Sequence, residues 1–213
     1  MRLAACAILA AALLAGCGAP QDCPTIPDQP AAEAGAAVGI PDFIQEHLSS
    51  PHAVRAKLYV GADGQVRKYA VYVTKEAVPA WVFEIADKEL GSGEDQELEV
   101  EQYENGDQVY EVTRVVDGQV KEVSVKLDKT VKYVETAIAP DALPAPVKAA
   151  VEGVAGFEPE QYLIKKGPEL EAYQVKGKKD GASHRLDLSA DGRIISQSRG
   201  LDAGLVVDLA QSP

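Results

Sequence analysis

The sequence predicts an α+β protein built of tandem units, each a helix packed across an antiparallel sheet. Three observations predict it. First, positions recur at a nearly fixed offset. Tyr110-Glu111-Val112 returns as Tyr173-Gln174-Val175, 63 residues on. At that offset Asp117-Gly118 falls on Asp180-Gly181, Val123 and Val125 on Leu186 and Leu188, Asp128 on Asp191, and Val131 on Ile194. Upstream, Val78-Pro79-Ala80 matches Leu143-Pro144-Ala145 and Gly91 matches Gly156, at an offset of 65. Second, apolar residues at helical spacing follow prolines. Val82, Ile85, Ala86 and Leu90 follow Pro79, and Val147, Ala150, Val151 and Val154 follow Pro144 and Pro146. Gly91 and Gly156 stand where left-handed C-terminal caps belong. Third, Leu98 and Val100 alternate with Glu97, Glu99 and Glu101, and Val123, Val125 and Leu127 alternate with Glu122, Ser124 and Lys126. This is the period of strands with one face buried and one wet. Asn105-Gly106, Asp117-Gly118, Asp180-Gly181 and Asp191-Gly192 are hairpin turns, because both residue types tolerate positive φ.

Residues 1–16 read as a removable signal. Arg2 supplies the positive start, and the apolar run Leu3 to Leu13 is about half the length that spans a bilayer. Leu14-Ala15-Gly16-Cys17 resembles the lipobox of bacterial lipoproteins. That resemblance implies cleavage before Cys17 and acylation of its thiol, with the lipid as the membrane contact. Gly18, in place of an aspartate, then favours the outer membrane by analogy with the sorting signal. Residues 17–39, rich in Ala, Pro, Gly and acidic residues, form a flexible tether. With Cys6 removed and Cys17 acylated, Cys23 is the one free thiol, so no intramolecular disulfide holds the fold.

Residues 40–76 make a partial unit. Ile40-Pro41-Asp42-Phe43-Ile44 is helix-like, and Leu58, Val60, Ala62-Asp63-Gly64 and Val66 match Leu186, Leu188, Ala190-Asp191-Gly192 and Ile194 at an offset of 128. Too little chain remains for more than a helix and one hairpin. Residues 77–137 and 138–213 are the two full units, each with three or four strands. Leu201 to Leu209 is a last apolar stretch that adds an edge strand or covers the sheet end.

A Leu-Pro-opened helix, a strand with Tyr-x-Val, and Asp-Gly hairpins ending in Asp-Gly-x-Ile resemble the PepSY-like domain family, akin to the beta-lactamase-inhibitor-like fold. Leu143 to Ser198 matches best, Val78 to Glu135 less well and Ile40 to Val73 in part. The resemblance implies a non-catalytic envelope module that binds proteins or peptides, some members restraining peptidases. Asp128-Lys129 departs from the Asp-Gly of the pattern, so the last turn of the first full unit is expected to differ.

The formal net charge is −12, and without Arg2 the remaining chain has 20 basic against 33 acidic residues. This balance excludes phosphate-backbone recognition, so no nucleic-acid partner is expected. No Gly-x-Ser-x-Gly, His-Glu-x-x-His, Cys-x-x-Cys or glycine-rich phosphate loop occurs. The chain is therefore expected to be no enzyme and to carry no cofactor and no metal. His47 and His52, near Glu46, are separated by Pro51 and read as surface histidines; His184 lies in a strand. The densest acidic run is Glu94, Asp95, Glu97, Glu99, Glu101, Glu104 and Asp107. It reads either as a site for a cation or basic partner, or as a solvated face guarding a sheet edge, the plainer expectation.

Partner-binding candidates are Trp81, near a helix start, for which core packing is the plainer expectation, Tyr69 and Tyr72, which being three apart point to opposite strand faces and so put one ring outside, and Glu97, Glu99 and Glu101. The expected function is that of a lipid-anchored envelope protein whose concave sheet face grips a protein or peptide, with inhibition of a peptidase or hydrolase as the specific version. A purely structural envelope lipoprotein and a metal-dependent sensor built on His47 and His52 are the alternatives.

Overall fold

The computed structural model describes residues 39–168 and 170–201. The signal, the Cys17 acylation site, the tether to position 38, Cys23 and the stretch 202–213 lie outside the described residues. The compact unit that begins at Ile40 is described below.

Its element order is α1 (Asp42–Leu48), β1 (Ala53–Val60), β2 (Val66–Val73), α2 (Ala80–Leu90), β3 (Glu94–Tyr103), β4 (Gln108–Val116), β5 (Gln119–Lys126), β6 (Val131–Ala137), α3 (Ala145–Glu152), β7 (Phe157–Gly167), β8 (Leu170–Lys179), β9 (Ala182–Leu188) and β10 (Ile194–Arg199). The strands pair in chain order into one antiparallel ten-stranded sheet. The protein is thus mainly β, with short helices. Two strands follow α1, four follow α2 and four follow α3. No described helix is long and apolar enough to cross a membrane.

The helices start alike. Pro41, Pro79 and Pro144 are their N-caps, with φ near −58°, −59° and −55° and no side-chain cap bond. At 7, 11 and 8 residues they fall short of the roughly 12–15 residues an isolated helix needs in water, so packing on the sheet maintains them. Val82, Ala86 and Leu90 of α2 bury against Val71, Val100, Val112 and Val123 in one core cluster, which also takes Ile44 of α1. Val147 and Val151 of α3 bury against Tyr173, Val175, Leu186 and Leu188 in a second. Tyr110 and Tyr173 belong to these cores, as their matched positions imply.

The hairpins at Asp117-Gly118 and Asp180-Gly181 have positive φ at both residues, 52° and 77°, then 52° and 75°, the pattern of type I′ turns. Two cap expectations need correction. Gly91 has φ 87° but ψ 175°, extended rather than left-handed helical. Helix α3 ends at Glu152 with Gly153 in right-handed geometry, and Gly156, φ 70°, instead turns the chain into β7. The turn at Asp128-Lys129 keeps its shape without glycine. Lys129 takes φ 69°, and Asp128 Oδ1 accepts from Thr130 N at 2.9 Å and Thr130 Oγ1 at 2.6 Å.

The second sheet face is not wet. Twisted sheets of about ten strands tend to curl, and here Arg185 of β9 comes within 5.3 Å of the Tyr59 ring of β1. The face opposite the helices therefore becomes a concave interior. The acidic run guards no sheet edge, because β3 pairs with β2 and β4; Glu94, Glu97 and Glu104 are solvated as expected, but Glu99 and Glu101 are 7% and 0% exposed.

Candidate functional site: the concave face

Strand period alone decides which residues enter the concave face. With Val100, Val112 and Val123 turned to the helices, Glu99, Glu101, Glu111, Glu122 and Ser124 must turn the other way. Register then sets neighbours: Glu99 lies opposite Glu111, Glu111 opposite Ser124, Ser124 opposite Tyr133, and Glu122 opposite Glu135. Like charges in direct cross-strand pairs oppose folding, so this arrangement needs compensation.

Part of the compensation is internal. Lys68 Nζ donates to Glu101 Oε1, and the Tyr103 hydroxyl donates to Glu101 Oε2 at 2.7 Å. Tyr133 donates to Glu111 Oε2 at 2.5 Å. Glu135 receives Lys165, its direct partner on β7, at 3.2 Å and Lys176 of β8 at 3.6 Å. Lys57 donates to the Tyr72 hydroxyl. Cations also lie on tyrosine rings: Arg55 is 3.8 Å from the Tyr72 centroid and Lys165 3.9 Å from that of Tyr133. Among the described residues, Glu99, Glu111 and Glu122 have no ion-pair partner within 4 Å. These three border a cavity of about 270 Å³ that reaches Tyr59, Lys176 and Arg185 on the opposite wall.

The electrostatics follow from that geometry. Burial, then the charges of Glu111 and Glu101, push the Glu99 carboxyl up to about 7. Burial and the neighbouring Glu101 raise Glu111, and burial with Glu111 and Glu135 raises Glu122 well above the carboxylate range. Burial acts to lower Lys68, but Glu101 and Glu111 outweigh it and raise it. Burial lowers Lys57. The face thus offers fixed positive charge, phenolic hydroxyls and, at Glu99, a carboxyl able to take or release a proton near neutrality.

The residues singled out from sequence divide between the two faces. Tyr72, Glu99 and Glu101 lie in the concave face, and Glu97 at its rim pairs with Arg55 at 2.6 Å, both half exposed. Tyr69 and Trp81 lie on the helix side. Tyr69 is core. Trp81 meets Tyr110 edge-on, centroids 5.8 Å apart, with Lys129 Nζ 5.6 Å from its ring. Tyr69 and Tyr72 do point to opposite faces, yet neither is outside, at 9% and 4% exposed. His47 bonds the Phe43 carbonyl and His52 bonds Thr74 Oγ1. Sequence reasoning missed Glu111, Ser124, Tyr133, Glu135, Lys165 and Arg185. The available signal was their place at the polar phase of strands flanked by strands on both sides.

No protein-family profile matches the chain, and no curated protein matches it. Among solved structures, a BLIP-like protein from Bacteroides fragilis is 20% identical over 60% of this chain and 93% of its own, with a TM-score of 0.41. A DUF2874 family protein from Bacteroides ovatus is 16% identical over 57% and 86%, TM-score 0.43. A candidate periplasmic protein from Bacteroides eggerthii is 16% identical over 57% and 88%, TM-score 0.46. At these scores and identities the likeness extends to neither function nor partner.

Proposed function

We propose that this chain is a non-catalytic, lipid-anchored protein of the bacterial cell envelope that binds a protein or peptide through the concave face of its sheet. The observation that carries the reading is the division of the faces. The helices cover one side with an apolar core, while the other holds uncompensated carboxylates around a cavity. Groups that cost stability in a fold are retained where they serve binding. The Arg55–Glu97 rim and the Tyr72 ring supply the contact surface, and the interior supplies charge.

The anchor rests on the lipobox-like Leu14-Ala15-Gly16-Cys17, and the outer-membrane location on Gly18 after it. The recurrence of proline-capped helix and four strands supports reading 77–137 and 138–213 as two PepSY-like copies, the second with a C-terminal extension, and 40–76 as a shortened third. Restraint of a peptidase or hydrolase is the narrower version and rests on the resemblance alone.

The test is site-specific photocrosslinking in intact cells. A crosslinker at Glu97 should give a discrete adduct, and one at Glu84, exposed on α2, should not. Adducts only from Glu84, or from neither position, contradict the reading. Metabolic palmitate labelling lost in Cys17→Ser tests the anchor separately.

A further inference from the structure

We infer that the concave face contains a binding site for a divalent cation of calcium type, formed by Glu99, Glu101 and Glu111 with the hydroxyl of Ser124. One carboxylate oxygen from each glutamate can be chosen so that all lie within 4.8 Å of one another, and all three residues are buried. They come from two adjacent strands, Glu99 and Glu101 from one face of β3 and Glu111 from directly across on β4.

Ser124 is the independent sign. It is 0% exposed, it sits opposite Glu111 on the same face, and its Oγ has no hydrogen-bond partner. A buried hydroxyl left unpaired costs about 1–3 kcal/mol, so the position is that of a group awaiting a ligand. A hydroxyl oxygen beside carboxylates is a donor suited to a hard cation.

Charge agrees. Lys68 is the one ammonium in ion-pair contact with the trio among the described residues. Beyond the Glu101–Lys68 pair, Glu99 and Glu111 contribute two negative charges once ionised, which a divalent ion would neutralise. Lys68 and Tyr103 bind Glu101 from behind and act as positioning residues.

Donor type and spacing choose the ion. All donors are oxygen, which disfavours zinc and copper. Metal–oxygen distances of about 2.3–2.6 Å put opposed donors about 4.6–5.2 Å apart for calcium, whereas about 2.0–2.1 Å for magnesium demands a tighter cage. The 4.8 Å span fits the first. The 270 Å³ cavity alongside leaves room for water ligands.

The site stands apart from the partner-binding reading: it needs no partner, and its failure would leave the crosslinking result untouched. The experiment uses the full mature chain freed of metal with EDTA and then dialysed. Terbium is titrated with excitation of tyrosine, since Tyr103 and Tyr133 hydrogen-bond to two of the proposed ligands. Saturable sensitised emission is expected, displaced by calcium and poorly by equal magnesium. Glu99→Gln with Glu111→Gln should weaken calcium binding by about 100-fold, and Ser124→Ala by about tenfold. Should the double variant fail to fold, Ser124→Ala alone decides. Absence of saturable binding by the wild type at millimolar calcium, or unchanged affinity in the variants, overturns the inference.

Discussion

Residues 77–137 and 138–199 share an element order, yet on the concave face Glu101 and Glu122 of the first answer to Lys165 and Arg185 of the second. Strand register makes the correspondence: Glu111–Ser124 answers to Gln174–Asp187 with one carboxylate in each pair, but the Glu101–Val109 pair answers to Lys165–Ala172 and Thr113–Glu122 to Lys176–Arg185. The first stretch therefore lines the interior with acids and the second lines it with bases. Their meeting at the β6–β7 junction, as in Glu135 with Lys165 and Lys176, is what lets so much charge be buried. The apolar positions repeat because both stretches must pack a helix. The polar ones diverge because each stretch faces the other.

The helix joints diverge too. Arg114, 3% exposed, ties α2 down by donating to Asp87 and Asp95 at 2.6 Å and to the Gly91 carbonyl at 2.8 Å. Its counterpart is Gly177, where a Cβ would collide with the Glu158 carbonyl, so α3 has no such clamp. At the other helix end Trp81 packs near Lys129, while Pro146 of α3 presents its carbonyl to Gly192, where a Cβ has no room. The departure at Lys129 and the tryptophan are thus two halves of one joint.

The largest expected effect tests the clamp. Arg114→Met leaves Asp95 and a carbonyl unpaired and should lower unfolding free energy by about 4 kcal/mol in urea titration, whereas Asp87→Asn, at an exposed partner, should cost less than about 1 kcal/mol. Next, Gly192→Lys should cost about 3 kcal/mol through overpacking and positive φ, with hydrogen exchange accelerated in α3 before α2. A smaller effect concerns the acidic half alone. Because Glu99 titrates higher folded, near 7, than unfolded, near 4.5, the folded state holds its proton more tightly. The Glu99 contribution to stability in metal-free buffer should then fall as pH rises from about 4.5 to about 7, by on the order of 3 kcal/mol, and stay level below that window. The smallest is Lys129→Gly, expected to stabilise by about 1 kcal/mol by removing a left-handed side-chain residue, as thermal unfolding would show.

The sequence was read well where local physics rules. Alternation at Leu98 and Val100, the proline starts, the Asp-Gly turns and the helix stripes all recur in the fold. What was not legible follows from curvature, which no period encodes. Glu99 and Glu101 have the pattern of solvated strand residues, and the curl of ten strands is what buries them. Trp81 packs against the core, the plainer of its two expectations, and the sequence does not show that its neighbour there is the Lys129 turn. Ser124 is unremarkable in a strand until its neighbours across both pairings are known.

The central claim is that the concave face keeps carboxylates the fold itself does not want. Equilibrium urea unfolding of the Glu99→Gln, Glu111→Gln variant in EDTA at pH 7.5 tests it most directly. The account predicts a variant more stable than the wild type, by about 2 kcal/mol. A variant equally or less stable contradicts it, since those carboxylates would then be holding the sheet together.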